Sequence, residues 1–116
     1  MRSVNRENVE GLWLALGNSA DEFNHSVHQF RHHVQNLARA LDQMDLERIH
    51  LECHSLNRIS RDLGATHLYE IVCELESVAI GRDVFRIRQI RTRCEEEMFR
   101  VLGDLGDFLH EKSVAA

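Results

Sequence analysis

Seven apolar residues, Phe23, Val27, Phe30, Val34, Leu37, Leu41 and Met44, follow one another by alternating steps of four and three. That rhythm lines one side of a continuous α-helix and fits no strand, whose side chains change face at every residue. The helix is predicted to begin near Ala20 or Asp21 and to break at Gln43-Met44-Asp45. Asp45 is suited to cap a second helix, on which Leu46, Ile49, Cys53, Leu56, Ser60 and Leu63 keep the same spacing until Gly64 interrupts it. The pattern resumes with Ala65, Leu68, Val72, Leu75 and Ala79, turns at Gly81-Arg82-Asp83, and continues through Ile87, Ile90, Cys94, Met98, Val101, Leu105 and Phe108. A shorter N-terminal helix carries Val9, Leu12, Trp13 and Leu16 and ends near Gly17-Asn18. The expected fold is all-α: an antiparallel four-helix bundle, up-down-up-down because its connections are short, with an additional short N-terminal helix covering one end.

Composition agrees with that expectation. The chain has no proline and only 6 glycines, which removes the usual punctuation of β-architectures. Its 116 residues suit one domain spanning 1–116, and no linker, low-complexity block or internal repeat divides them. A net charge of -5 with mixed signs lacks the basic patch of a nucleic-acid or anionic-membrane binder. No run of about 18 apolar residues could span a bilayer, and the N-terminus shows no signal-peptide run. The expected compartment is the cytoplasm. Cys53, Cys73 and Cys94 are odd in number and far apart, which argues for reduced core thiols rather than a disulfide or zinc framework. No clear second apolar face is seen, so a monomer is expected, and the tail Ser113-Val114-Ala115-Ala116 is expected to fray.

Helical position sorts the eight histidines. With roughly 100° per residue, His54 falls roughly 130° from the centre of its helix's apolar seam and should face water. Arg58 is one turn further on the same side, Glu47 about two turns earlier, and Asn57 and Arg61 lie between that side and the seam. Neutral imidazole is a nucleophile near physiological pH, and phosphoryl transfer needs chiefly an in-line nucleophile and cations near the phosphoryl oxygens. An exposed histidine beside arginine meets that need. Most exposed histidines on bundles are nonetheless merely solvated, so position alone does not assign His54 a function.

Other constellations carry less. Two Glu-x-x-His pairs, Glu22/His25 and Glu47/His50, have the spacing of di-iron bundles, but their faces point outward rather than into the core. His25, His28 and His32 share an exposed face at a spacing open to adventitious metal, and solvated histidines are the commoner case. No metal or cofactor is expected. No Gly-rich phosphate loop, Ser/His/Asp set or paired buried carboxylates point to an enzyme with its own turnover.

The segment His54-Ser55-Leu56-Asn57-Arg58-Ile59-Ser60-Arg61-Asp62-Leu63-Gly64-Ala65 resembles the signature of histidine phosphotransfer (HPt) domains, His-x-Leu-Lys-Gly, five variable residues, then Gly-Ala. His54, Leu56, Leu63, Gly64 and Ala65 occupy matching positions, and Leu68, Ile71, Leu75 and Glu76 resemble the family's continuation. The motif covers about a fifth of the chain. The resemblance implies a four-helix bundle whose exposed histidine, here His54, accepts and donates a phosphoryl group. It implies response-regulator receiver domains or a hybrid sensor kinase as partners, with Mg²⁺ held by the receiver. Leu56, Gly64 and Ala65 would serve the motif structurally. Two positions depart from it: Asn57 replaces the family Lys that neutralises phosphoryl charge, and Arg58 replaces the small Gly that lets a receiver approach. Asn57 can hydrogen-bond a phosphoryl oxygen without adding charge, while Arg58, with Arg61, can restore a cation near His54. The same departures motivate an alternative, a degenerate HPt-like adaptor that binds a kinase or receiver without carrying phosphate.

Overall fold

The computed structural model describes residues 2–115, Ala115 by its backbone alone. Among the described residues there are five helices and no strand: α1 Arg6–Ala15, α2 Ala20–Gln43, α3 Leu46–Asp62, α4 Thr66–Ile80 and α5 Val84–Ala115. Side chains at the helix starts explain where they begin. Asn5 accepts from the Asn8 N–H, Ser19 from Glu22, Asp45 from Arg48 and Asp83 from Arg86, each satisfying a donor that the first turn leaves free. α2 stops because Met44 turns into the left-handed region, φ 49°, and its N–H closes back on the Ala40 and Leu41 carbonyls.

α2 packs against α3 and α5, and α4 packs against the same two, so α3 and α5 lie diagonally across the bundle. The connections at 44–45, 63–65 and 81–83 are too short for anything but antiparallel neighbours. The seam residues meet in the middle. Phe23, Phe30 and Leu37 of α2, Ile49, Cys53 and Leu56 of α3, Leu68 and Leu75 of α4, and Ile87, Met98 and Phe108 of α5 are all buried. Val34 and Met44, expected on the α2 seam, are only half-buried at its edge.

α1 closes one end. Its Trp13 ring stands edge-on to Phe23 and Phe108 at 5.7 and 6.0 Å, and Val9 is fully buried. Polar ties fix it: the Asn5 N–H donates to the Leu63 carbonyl, Asn8 Nδ2 to the Asp62 carbonyl, and Lys112 pairs with Glu10. The Asp104 carboxylate accepts from the backbone N–H groups of Arg2, Ser3 and Val4. These ties also correct the expectation of a frayed tail. α5 stays helical through Ser113, Val114 and Ala115 because Arg6–Glu111 and Lys112–Glu10 hold its last turns to α1, and the Ser113 hydroxyl donates to the Leu109 carbonyl. Ala116 lies outside the described residues.

One buried feature was not expected. Glu52, almost wholly buried on α3, accepts from His33 Nδ1 of α2 at 2.9 Å, so its charge meets a partner within the α2–α3 seam. Cys53 and Cys94 are buried and free, and desolvation pushes both thiols up, that of Cys94 to about 12. They are therefore protonated packing groups at neutral pH, while Cys73 is half-buried. In the native protein a thiol reagent is expected to modify Cys73 and to reach Cys53 and Cys94 only after unfolding. Equal reaction of all three in a timed mass-spectrometric assay would contradict that.

Candidate functional site

His54 stands on the outer face of α3 with its side chain 81% exposed, where the helical arithmetic put it. Its neighbours Cys53 and Leu56 are in the core, and their burial fixes the rotation of α3 that turns His54 outward. Asn57, Arg58 and Arg61 from the same helix, together with Tyr69 from α4, line a depression of about 150 Å³ around it. Thus the four polar residues of α3 named from sequence come together. Tyr69 joins them because α4 starts immediately after the 63–65 turn and doubles back along α3.

The side chains differ in how they are held. Asn57 is half-buried between α3 and α4: its Nδ2 donates to Glu76 Oε1 at 3.5 Å, and the Cys73 thiol donates to its Oδ1 at 3.3 Å. That engagement turns Asn57 toward the α3–α4 seam, where it orients Glu76. Arg58 and Arg61 are exposed, and among the described residues neither forms an ion pair. Their guanidinium groups are thus available to an incoming anion.

The residue behind His54 is Glu76 of α4. Its Oε2 lies 3.8 Å from His54 Nδ1, within ion-pair range, and 3.3 Å from Nδ1 of His50, one turn earlier on α3. The Glu76 side chain is only 16% exposed, so its carboxylate faces both rings with little water around it. With Nδ1 turned toward this carboxylate, His54 presents Nε2 to solvent. From the sequence alone Glu76 stands in the motif's continuation without a role, and His50 only in a Glu-x-x-His pair. The available signals were the four-residue step from His50 to His54 and the position of Glu76 beside the core residue Leu75. Glu47, counted among the neighbours from sequence, is exposed on the surface.

Leu56, Gly64 and Ala65 serve the framework. Leu56 and Ala65 are fully buried, and Ala65 is the N-cap residue of α4. Gly64 has φ +63°, and a Cβ there would stand 2.4 Å from Asn5 Cβ, so this turn owes its shape to the missing side chain. Glu22 and His25 of the first Glu-x-x-His pair are exposed, as are His28 and His32. Among the described residues, no group of three or more His, Cys, Asp or Glu side chains is arranged to hold a metal ion.

Among the described residues, no helix is long and apolar enough to cross a membrane. No protein-family model matches the chain, and no curated protein matches it significantly. A solved structure does: the crystal structure of histidine-containing phosphotransfer protein B (HptB) from Pseudomonas aeruginosa PAO1 superposes with a TM-score of 0.81 at 18% sequence identity, covering 95% of this chain and 96% of that one. The all-helical bundle, its extra N-terminal helix and this near full-length superposition together establish that the chain has the fold of a histidine-containing phosphotransfer protein.

Proposed function

We propose that the chain is a phosphocarrier of a cytoplasmic phosphorelay, accepting a phosphoryl group on His54 from the phospho-aspartate of a receiver domain or hybrid kinase and passing it to another receiver. The observation that carries this reading is the His54 ring itself: exposed, with Nδ1 toward the Glu76 carboxylate and Nε2 toward solvent amid two unpaired arginines.

The chemistry follows from that orientation. A proton on Nδ1, facing Glu76, leaves the Nε2 lone pair free. That pair attacks phosphorus, the acyl P–O bond breaks, and its electrons return to the receiver's aspartate as a carboxylate. The ring, still protonated on Nδ1, gains a positive charge that Glu76 faces. Onward transfer reverses these steps on a second receiver, so the chain has no net turnover of its own. Charge on the transferring oxygens is met by Arg58 and Arg61 here and by Mg²⁺ on the receiver.

Incubation with a phosphorylated receiver tests the reading. The expected product carries one phosphoryl group that maps to His54 and is lost in acid, as a P–N bond is. Complexes with every receiver tried, none of them labelling His54, would overturn it.

Arg58 yields a separate expectation. Arg58→Ala should slow transfer about tenfold, equivalent to about 1.4 kcal/mol of transition-state stabilisation. Because the side chain is exposed, stability should stay within about 0.5 kcal/mol of wild type. Stopped-flow transfer rates beside a denaturation curve measure both, and an accelerated transfer would show that the bulk of Arg58 obstructs the receiver more than its charge helps.

A further inference from the structure

Glu76 is shared. Oε2, the oxygen 3.8 Å from His54 Nδ1, is closer to His50 Nδ1, at 3.3 Å. His50 Nδ1 is sealed from solvent and has no hydrogen-bond partner, its approach to Oε2 being within ion-pair range but outside hydrogen-bond geometry. A sealed ring nitrogen beside a carboxylate is tolerable with a proton on it, because a bare lone pair there would face negative charge without water between. The His50 side chain as a whole is 43% exposed, so its ring can exchange protons with solvent.

Resting on the reading of His54 as phosphoryl acceptor, we propose that His50 is a positioning residue that regulates His54 by competing for the single Glu76 carboxylate. As a cation, His50 draws Oε2 to itself and leaves His54 Nδ1–H without its acceptor. As a neutral ring it releases the carboxylate to His54. Both histidines lie on one face of α3 at i and i+4, so moving Glu76 between them takes only a side-chain rotation.

The groups facing His50 define what else acts on it. From α3 they are Glu47 and His54, from α4 Glu76, and from the turn before α5 Arg82. Glu47 and Arg82 are exposed and oppose one another in sign, whereas Glu76 is mostly buried, which leaves Glu76 as the dominant charge. A cation at position 50 therefore takes the acceptor from His54, and an apolar side chain there leaves it to His54.

Two variants separate these effects. His50→Phe removes the competitor and is accommodated beside the exposed Leu51 and Ile80, while His50→Lys supplies a cation at every working pH. At pH 8 transfer is expected to be about fivefold slower in His50→Lys than in His50→Phe. A second readout needs no phosphoryl donor. In ¹⁵N spectra at pH 8, the Nδ1–H tautomer of His54 should be less populated in His50→Lys than in His50→Phe, with Glu76→Gln resembling His50→Lys. Equal His54 tautomer populations in all three variants would overturn the competition, whether or not any receiver labels the chain. Should the tautomers shift as stated while no receiver labels His54, the competition stands and the phosphocarrier reading fails.

Discussion

His54→Gln is expected to abolish phosphoryl labelling, by at least about 10³-fold, while leaving the fold unchanged. The glutamine amide has no lone pair of comparable nucleophilicity, so the loss is chemical rather than steric. The side chain at this position is 81% exposed and makes no hydrogen bond, so unfolding free energy should move by no more than about 0.5 kcal/mol. Substitution by another of the eight histidines is not expected. His50, the nearest ring, is flanked by Leu51 and Ile80 with its Nδ1 sealed, and His33 is engaged with Glu52. His25, His28, His32, His67 and His110 are exposed, but none has an acidic side chain within ion-pair distance to steady the ring. Radiolabel transfer read beside a thermal melt checks both halves of the expectation. Label at the wild-type level on the variant would remove His54 from the chemistry.

Gly64→Ala is expected to cost about 2 kcal/mol of stability, away from the site. Two physical terms make it up. A side chain at φ +63° costs about 1 kcal/mol of backbone strain, and the new Cβ would stand 2.4 Å from Asn5 Cβ and 3.0 Å from Asn8 Cγ. Asn5 must then retreat, although it caps α1 and donates its N–H to the Leu63 carbonyl, and losing a cap alone costs about 1 kcal/mol. Since α1 carries the chain's one tryptophan against Phe23 and Phe108, loosening it should redshift Trp13 fluorescence. Phosphoryl acceptance by His54 should persist below the melting transition, because His54 lies on α3 nearly three turns before this turn. An unchanged melt and emission spectrum would show that the 63–65 turn relaxes without strain. The Gly64-Ala65 pair is thus conformational in purpose: Gly64 allows α1 to approach, and Ala65 fits a position with no exposed surface.

What could be read in the sequence divides along a physical line. The rotation of each helix was legible, because burial of Phe23, Phe30, Ile49, Cys53 and Leu56 follows from spacing alone and carries His54 outward with it. Caps were legible where one short-range pattern makes them, as at Asp45. The surroundings of His54 were legible only for residues on its own helix. Asn57, Arg58 and Arg61 were placed correctly around it, but the engagement of Asn57 with Cys73 and Glu76 depends on α4.

By itself the sequence determined the number, type and facing of the helices and the exposure of His54, since a 3.6-residue period and an end cap are local properties of the chain. Only the tertiary structure decided that Glu76 lies between His50 and His54, that His33 meets Glu52, that Asp104 holds the N-terminal backbone, and that α5 stays helical to Ala115. Those outcomes join residues 19 to 105 positions apart. They depend on how far each helix slides and turns against its neighbour, and a shift of one residue along an axis, about 1.5 Å, would change the partner while leaving the apolar pattern intact.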